Sequence, residues 1–311
     1  MAIVLNTQGS CASDTRGTGL GDCVKQYGDL LGIDAYNKGW SLNTATDTLP
    51  TEAEYKALIQ EGVLYPLNNL YNFEQQTPDN EFATGSTGKK SEIRAGKPEY
   101  TITWDEGGCF HKGLFSLRGK NRWDMAFKFE TGVLFASNVA ETSLKAFDNG
   151  MFSVATMKFQ QGTDPEMSMA TFQFNSAVEL NSRSVFYTWD DLGYDMNSVS
   201  GVVNANVEFN TTPIAGTSLE VAVLDDCNRS VEILGLTDAN NWVVGGVQAS
   251  ATVVDSVVYN AGGYYVLTLD VALISTDTIE ISLGDVALGY TSAESTSGDL
   301  YKGNTSTETI A

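Results

Sequence analysis

Residues 96–138 read GKPEYTITWDEGGCFHKGLFSLRGKNRWDMAFKFETGVLFASN, and the periodicities of this stretch decide the fold class. Tyr100-Thr101-Ile102-Thr103-Trp104 is β-branched and aromatic, a composition that suits a pleated, half-buried surface. Gly107-Gly108 interrupts it. Phe110, Leu114 and Leu117 recur at helical spacing and predict a short helix with one apolar face, ended by Gly119. Trp123, Met125, Phe127 and Phe129 then alternate with Asp124, Ala126 and Lys128, the period of two of a strand. Thr131-Gly132 turns the chain into Val133-Leu134-Phe135. Nothing in the stretch pairs a nucleophile with a base, gathers metal ligands or cradles a phosphate. It builds a surface, and the chain is expected to be mainly β and not an enzyme.

Upstream, Thr51 and Glu54 have capping-box spacing, and Tyr55, Leu58 and Ile59 form the apolar stripe of a helix that Gly62 closes. An apolar, aromatic run at 64–73 predicts a strand. It leads into a polar, turn-rich segment, 74–92, that contains Glu74, Pro78, Gly85, Lys89 and Lys90, with Arg94 on its return. That length exceeds a tight hairpin, and long loops inside compact domains are commonly functional. The segment reads as the tip of a long hairpin projecting from the body, docking on an acidic patch of a neighbouring subunit.

Downstream, strands are expected at 151–159, 167–174, 185–189 and 202–209, the last completing the first domain. Near Thr212-Pro213 the texture changes. Residues 212–311 hold two basic residues, Arg229 and Lys302, against thirteen acidic ones. Short strand signals recur there every 8–12 residues, the pattern of a small β-sandwich. The expected layout is therefore an N-terminal arm (1–21), an assembly domain (22–211) and an outer sandwich (212–311) whose residues 291–311 form a low-complexity tail.

The 311-residue chain carries a formal charge of −21, from 39 acidic and 18 basic residues, which argues against gripping nucleic acid through a basic patch. The single His111 reads as a packed or surface residue. Cys11, Cys23, Cys109 and Cys227 form no C-x-x-C pair, so no zinc site is expected and the four are read as reduced, mostly buried thiols. No cofactor or metal is predicted. No apolar run approaches a membrane span, and the N-terminus lacks the charged region of a signal peptide, so a cytoplasmic origin is expected.

A capped helix, a long hairpin with a polar tip, strand–helix–strand, then more sheet resembles the tail tube proteins of long-tailed bacteriophages and contractile injection systems. The likeness is carried by residues 64–104, the helix around Phe110 and Leu117, and residues 123–138. Residues 147–159 and 167–180 resemble the second half of such a domain, so about 20–210 is covered. Residues 212–311 resemble the immunoglobulin-like additions of phage virion proteins. The resemblance implies a homo-oligomer of stacked, usually hexameric rings in the virion tail, contacts with other tail proteins, and phage DNA passing through the lumen without tight binding. It also implies that the hairpin reaches an adjacent ring. On this reading, Glu99, Thr101 and Thr103 on one strand, and Asp124 and Lys128 on another, face the lumen, with the apolar faces turned towards the helices. A surface-binding or adhesion protein that forms no tube is the alternative.

Overall fold

The computed structural model describes residues 3, 5, 27–76, 78–84, 86–87, 89–94, 96–163, 165–246 and 253–311. The fold is mainly β, 47% strand and 12% helix, with several antiparallel sheets and one sheet curled into a half-barrel. The described chain forms two compact units, one of residues up to 58 and 62–198, the other of 59–61 and 199–311. The expected N-terminal arm lies outside the described residues apart from Ile3 and Leu5.

The first unit opens with strands β1 (Leu30–Asn37) and β2 (Ser41–Asn43), then helix α1 (Glu52–Gln60). The cap of α1 forms as its sequence predicts: the Thr51 amide donates to Glu54 Oε2 at 2.8 Å and the Glu54 amide to Thr51 Oγ1 at 3.3 Å. The apolar run at 64–73 is two strands, β3 (Leu64–Leu67) and β4 (Asn72–Gln75), because Asn69 adopts a positive φ of 57° between them. A two-stranded hairpin follows, β5 (Glu81–Thr84) and β6 (Lys90–Arg94). The deciding stretch folds as β7 (Glu99–Trp104), α2 (Gly108–Ser116), β8 (Gly119–Lys120), β9 (Trp123–Phe129) and β10 (Gly132–Ser137). Then come β11 (Ser143–Lys145), β12 (Phe147–Val154), β13 (Ser168–Phe174), α3 (Ala177–Ser182), β14 (Ser184–Thr188) and the one-turn α4 (Trp189–Leu192).

Strand β9 organises this unit. One of its edges pairs with β1 along nearly its whole length. Its other edge is shared, with Phe127 and Lys128 opposite β10 and Asp124 and Met125 opposite β12. The sheet therefore divides there into two wings, one running through β10, β11 and β14, the other through β12, β13, β7 and β4. Between the wings lies one core of Ile33 and Ala35 from β1, Leu134 and Phe186 from the first wing and Ile102, Phe152, Phe172 and Phe174 from the second. Phe127 sits at its centre, with ring centroids 5.6 Å from Tyr100, 5.7 Å from Phe147 and 5.7 Å from Phe174.

The other face of β9 is also covered. Asp124 is 4% exposed and Lys128 wholly buried, so the alternation along the strand marks two packed layers and not an inner and an outer face. Neither residue lines a channel. The helix, too, packs opposite to expectation: Tyr55 of α1 lies on the polar side of β9, where its hydroxyl meets Asp34.

The second unit is a two-layer sandwich. Its strands are β15 (Val203–Phe209), β16 (Gly216–Asp225), β17 (Trp242–Gly245), β18 (Val254–Asn260), β19 (Tyr264–Leu273), β20 (Thr278–Leu283), β21 (Ala293–Glu294), β22 (Leu300–Gly303) and β23 (Ser306–Thr309). One sheet runs β18-β19-β16-β15-β22-β21 and the other β17-β20-β23. Trp242 and Tyr265 are buried between them with their polar atoms satisfied, the indole donating to Leu236 O at 3.0 Å and the hydroxyl to Ile233 O at 2.8 Å. Two boundaries differ from the sequence reading. β15 pairs with β16 and, in parallel, with β22, so residues 202–209 belong to this unit and the division falls between Ser198 and Val199. The C-terminal stretch is no tail, since β21, β22 and β23 are sheet members and Ile310 is buried.

The cysteines also differ. Cys109 and Cys227 are both disulfide-bonded and both exposed, not reduced buried thiols. Spacing along the chain bears on metal motifs but not on which cysteines meet in the fold.

Candidate assembly surface

The hairpin is an extension of the sheet. β4 pairs with β7 from Asn72 opposite Thr103 to Gln75 opposite Tyr100. Carrying that register outward places Glu81 opposite Arg94, which is where β5 and β6 begin to pair. A bulge follows, and Thr84 pairs with Lys90 near the tip. One ribbon thus leaves the sheet without losing register. Its interruption is held by a close approach: the Gly96 amide donates to Asn80 Oδ1 at 2.9 Å, and a Cβ on Gly96 would lie 1.8 Å from the carbonyl oxygen of Pro78.

Among the described residues, β5 and β6 pair only with each other. Phe82 is 55% exposed, and Glu74, Pro78, Lys89 and Lys90 are all exposed. Arg94 lies on the return strand, and Gly85 is outside the described residues. Residues 89–97 contain Lys89, Lys90, Arg94 and Lys97 against one acid, Glu92, so a short stretch concentrates four of the chain's 18 basic residues.

The base of the ribbon belongs to a polar sheet face. Glu99, Thr101 and Thr103 lie opposite Gln173, Thr171 and Met169 on one side, and Thr101 and Thr103 lie opposite Glu74 and Asn72 on the other. Gln173 Nε2 donates to Glu99 Oε2 at 2.8 Å, and the Thr101 and Thr171 hydroxyls share a hydrogen bond of 3.2 Å. Glu99 and Thr103 are half-buried and Thr101 is buried. The opposite face of the same strands carries Phe73, Tyr100, Ile102 and Phe172, which pack in the core. Of the five residues expected to face a lumen, these three share a polar surface, while Asp124 and Lys128 lie inside the subunit. β4 is the terminal strand of this wing, so its outer edge has no partner strand within the described chain.

The buried groups form a polar cluster that the sequence pattern did not reveal. Lys128 Nζ lies 2.8 Å from Asp34 Oδ1, and Tyr55 donates to Asp34 Oδ2 at 2.8 Å. Burial pushes the Asp34 carboxyl up, against the pull of Lys128. Burial, and then the charge of Asp34, push the Tyr36 and Tyr55 hydroxyls well above their usual range. Of the other residues singled out, Asp124 accepts from Lys38 at 2.8 Å, and His111 Nδ1 shares a 3.1 Å hydrogen bond with Ser168. Among the described residues, no three His, Cys, Asp or Glu side chains gather as a metal-binding set, and no helix is long and apolar enough to cross a membrane.

No family model matches the chain, and no curated protein does. Among solved structures, the N-terminal part of the bacterial S-layer protein SbsC is similar over 35% of this chain and 23% of that one, at 16% identity and a TM-score of 0.24. The chain thus spans under a quarter of that protein's length, and a likeness this slight carries no argument about fold or function.

Proposed function

We propose that the protein is a structural subunit that assembles with copies of itself into stacked rings, forming a virion tail tube through which DNA passes. The observation that carries this reading is the ribbon. A two-stranded ribbon is marginal in water on its own, yet this one leaves the sheet in register, with Phe82 and several lysines exposed. Such an element gains its stability from a surface outside the subunit, and its basic return strand suits the acidic body of a second copy.

The unpaired edge of β4 offers a second contact, because closing a ring by strand pairing removes exposed edges. The face of Glu74, Glu99, Thr101 and Thr103 is the surface assigned to the channel. It presents carboxylates, hydroxyls and amides, and like charge lets a polyanion slide instead of sticking. Disulfide-bonded Cys109 and Cys227 support residence in a particle outside a reducing cytoplasm.

The test is electron microscopy and sedimentation of the purified protein across concentration and salt. Rings or hollow tubes are the expected result. A chain that stays monomeric at high concentration overturns the reading, and monomers that bind a glycan or receptor favour an adhesin.

A further inference from the structure

Lys128 is wholly buried in β9, and its Nζ touches two different groups, the Asp34 carboxylate at 2.8 Å and the side-chain carbonyl oxygen of Asn68. The space for this meeting is made by Gly32, which pairs with Lys128 across the strands. A Cβ there would lie 2.9 Å from Lys128 Cε and 3.0 Å from Asn68 Oδ1. Asn68 is held in place from other sides as well. The buried indole of Trp104 donates to its backbone oxygen at 3.0 Å, and its Nδ2 donates to the backbone oxygen of Asn197 at 3.3 Å. The amine and the wholly buried carboxylate are therefore set on paired strands, and the carboxamide is held against them by the hydrogen bonds of Asn68.

We propose that Lys128 and Asn68 become joined by an intramolecular isopeptide bond, with Asp34 carrying the proton. Lys128 gives a proton to Asp34, and the neutral Nζ attacks Asn68 Cγ. The C–N bond to Nδ2 then breaks as Asp34 passes that proton to the departing nitrogen and takes up the second proton that Nζ sheds on becoming an amide, so Asp34 ends protonated. The products are one secondary amide and one ammonia, and no oxidant or cofactor enters the balance. Lysine attacks as the free amine, and the Asp34 carboxylate 2.8 Å away is placed to take its proton. Holding both groups together replaces a bimolecular encounter with effective concentrations of about 10⁵ M or more. The raised position of the Asp34 carboxyl is that of a group able to accept the proton. The bond would tie the segment entering β4, and with it the base of the ribbon, to the central strand. It does not depend on the assembly reading.

The test is the intact mass of the full chain, reduced and denatured after folding. The expected mass is lower than the sequence mass by one ammonia, with tandem spectra showing the Lys128 and Asn68 peptides joined. Wild-type protein at its full sequence mass overturns the proposal without recourse to any variant. Lys128→Met is expected at full mass, and an ammonia loss that survives it marks a succinimide at Asn68 and overturns the proposal as well. Asn68→Asp, which would lose water instead, is expected to mature to the same mass as mature wild type. Asp34→Asn is expected to stay unlinked; a linked Asp34→Asn chain removes Asp34 from the mechanism.

Discussion

Tyr55 and Asp34 are joined across the layer between α1 and the sheet, the hydroxyl donating to Oδ2 at 2.8 Å with both side chains wholly buried. This contact explains how a strand with alternating polar residues comes to have no wet face. The helix covers it, and Tyr55 supplies one of the hydrogen bonds made beneath it. Removing one member exposes the cost. Lys128→Met strips the buried Asp34 carboxyl of its Lys128 partner and is expected to lose about 3–5 kcal/mol. Adding Asp34→Leu is expected to recover at least half of that loss. Urea denaturation of the single and double variants measures it, and equal stability of the two would refute the coupling.

Acid should loosen the turn between β1 and β2. Burial alone would raise the Asp148 carboxyl, but hydrogen bonds from Lys38 and Asn175, helped by the charges of Lys38 and Lys145, hold it below its ordinary 3.8. A depressed folded value means that the stabilisation is complete above pH 3.8 and is lost as pH falls through the folded value. The side chain is partly exposed, so the contribution is below about 1 kcal/mol. Asp148→Asn should flatten the stability profile below pH 4 by that amount, as read from thermal melts in an acidic pH series.

Replacing residues 79–95 with a short Gly-Ser turn should leave the body folded, because among the described residues β5 and β6 pair only with each other. Circular dichroism melts are expected within a few degrees of wild type, while sedimentation shows weaker self-association. Gly96→Val should act in the same direction, since its Cβ would meet the Pro78 carbonyl. Tubes of normal length from either variant would remove the ribbon from the assembly contact.

The position of β15 makes the division between units testable. A fragment beginning at Val199 keeps that strand between β16 and β22, whereas one beginning at Thr212 lacks an interior strand of the larger sheet. The first is expected to unfold cooperatively and the second to aggregate or to melt without a transition. The opposite ranking would restore the boundary near 212.

On the proposed reading, channel electrostatics rest on the polar face of β4 and β7. Glu74→Lys with Glu99→Lys should fold, at the cost of the 2.8 Å contact from Gln173. It should slow DNA release from particles most at low salt, where cationic walls hold phosphates best. Release at the normal rate would show that this face does not line the channel.

Local pattern by itself determined the strands of the deciding stretch, the capped helix at Thr51 and the presence of a long hairpin. Each is read from periodicity, capping chemistry or turn residues within about ten positions, and each forms from those neighbours. Tertiary structure alone decided the rest. Alternation along β9 says that two faces differ, not whether the polar one meets water, and Asp34, Tyr55 and Asn68 come from other elements to bury Lys128. The strand β15 carries no mark of which sheet it joins, because pairing partners are chosen by backbone edges brought together over about a hundred residues, as with Val203 and Tyr301. The disulfides of Cys109 and Cys227 follow the same rule: sulfur atoms meet by distance in space, and spacing in the chain does not record it.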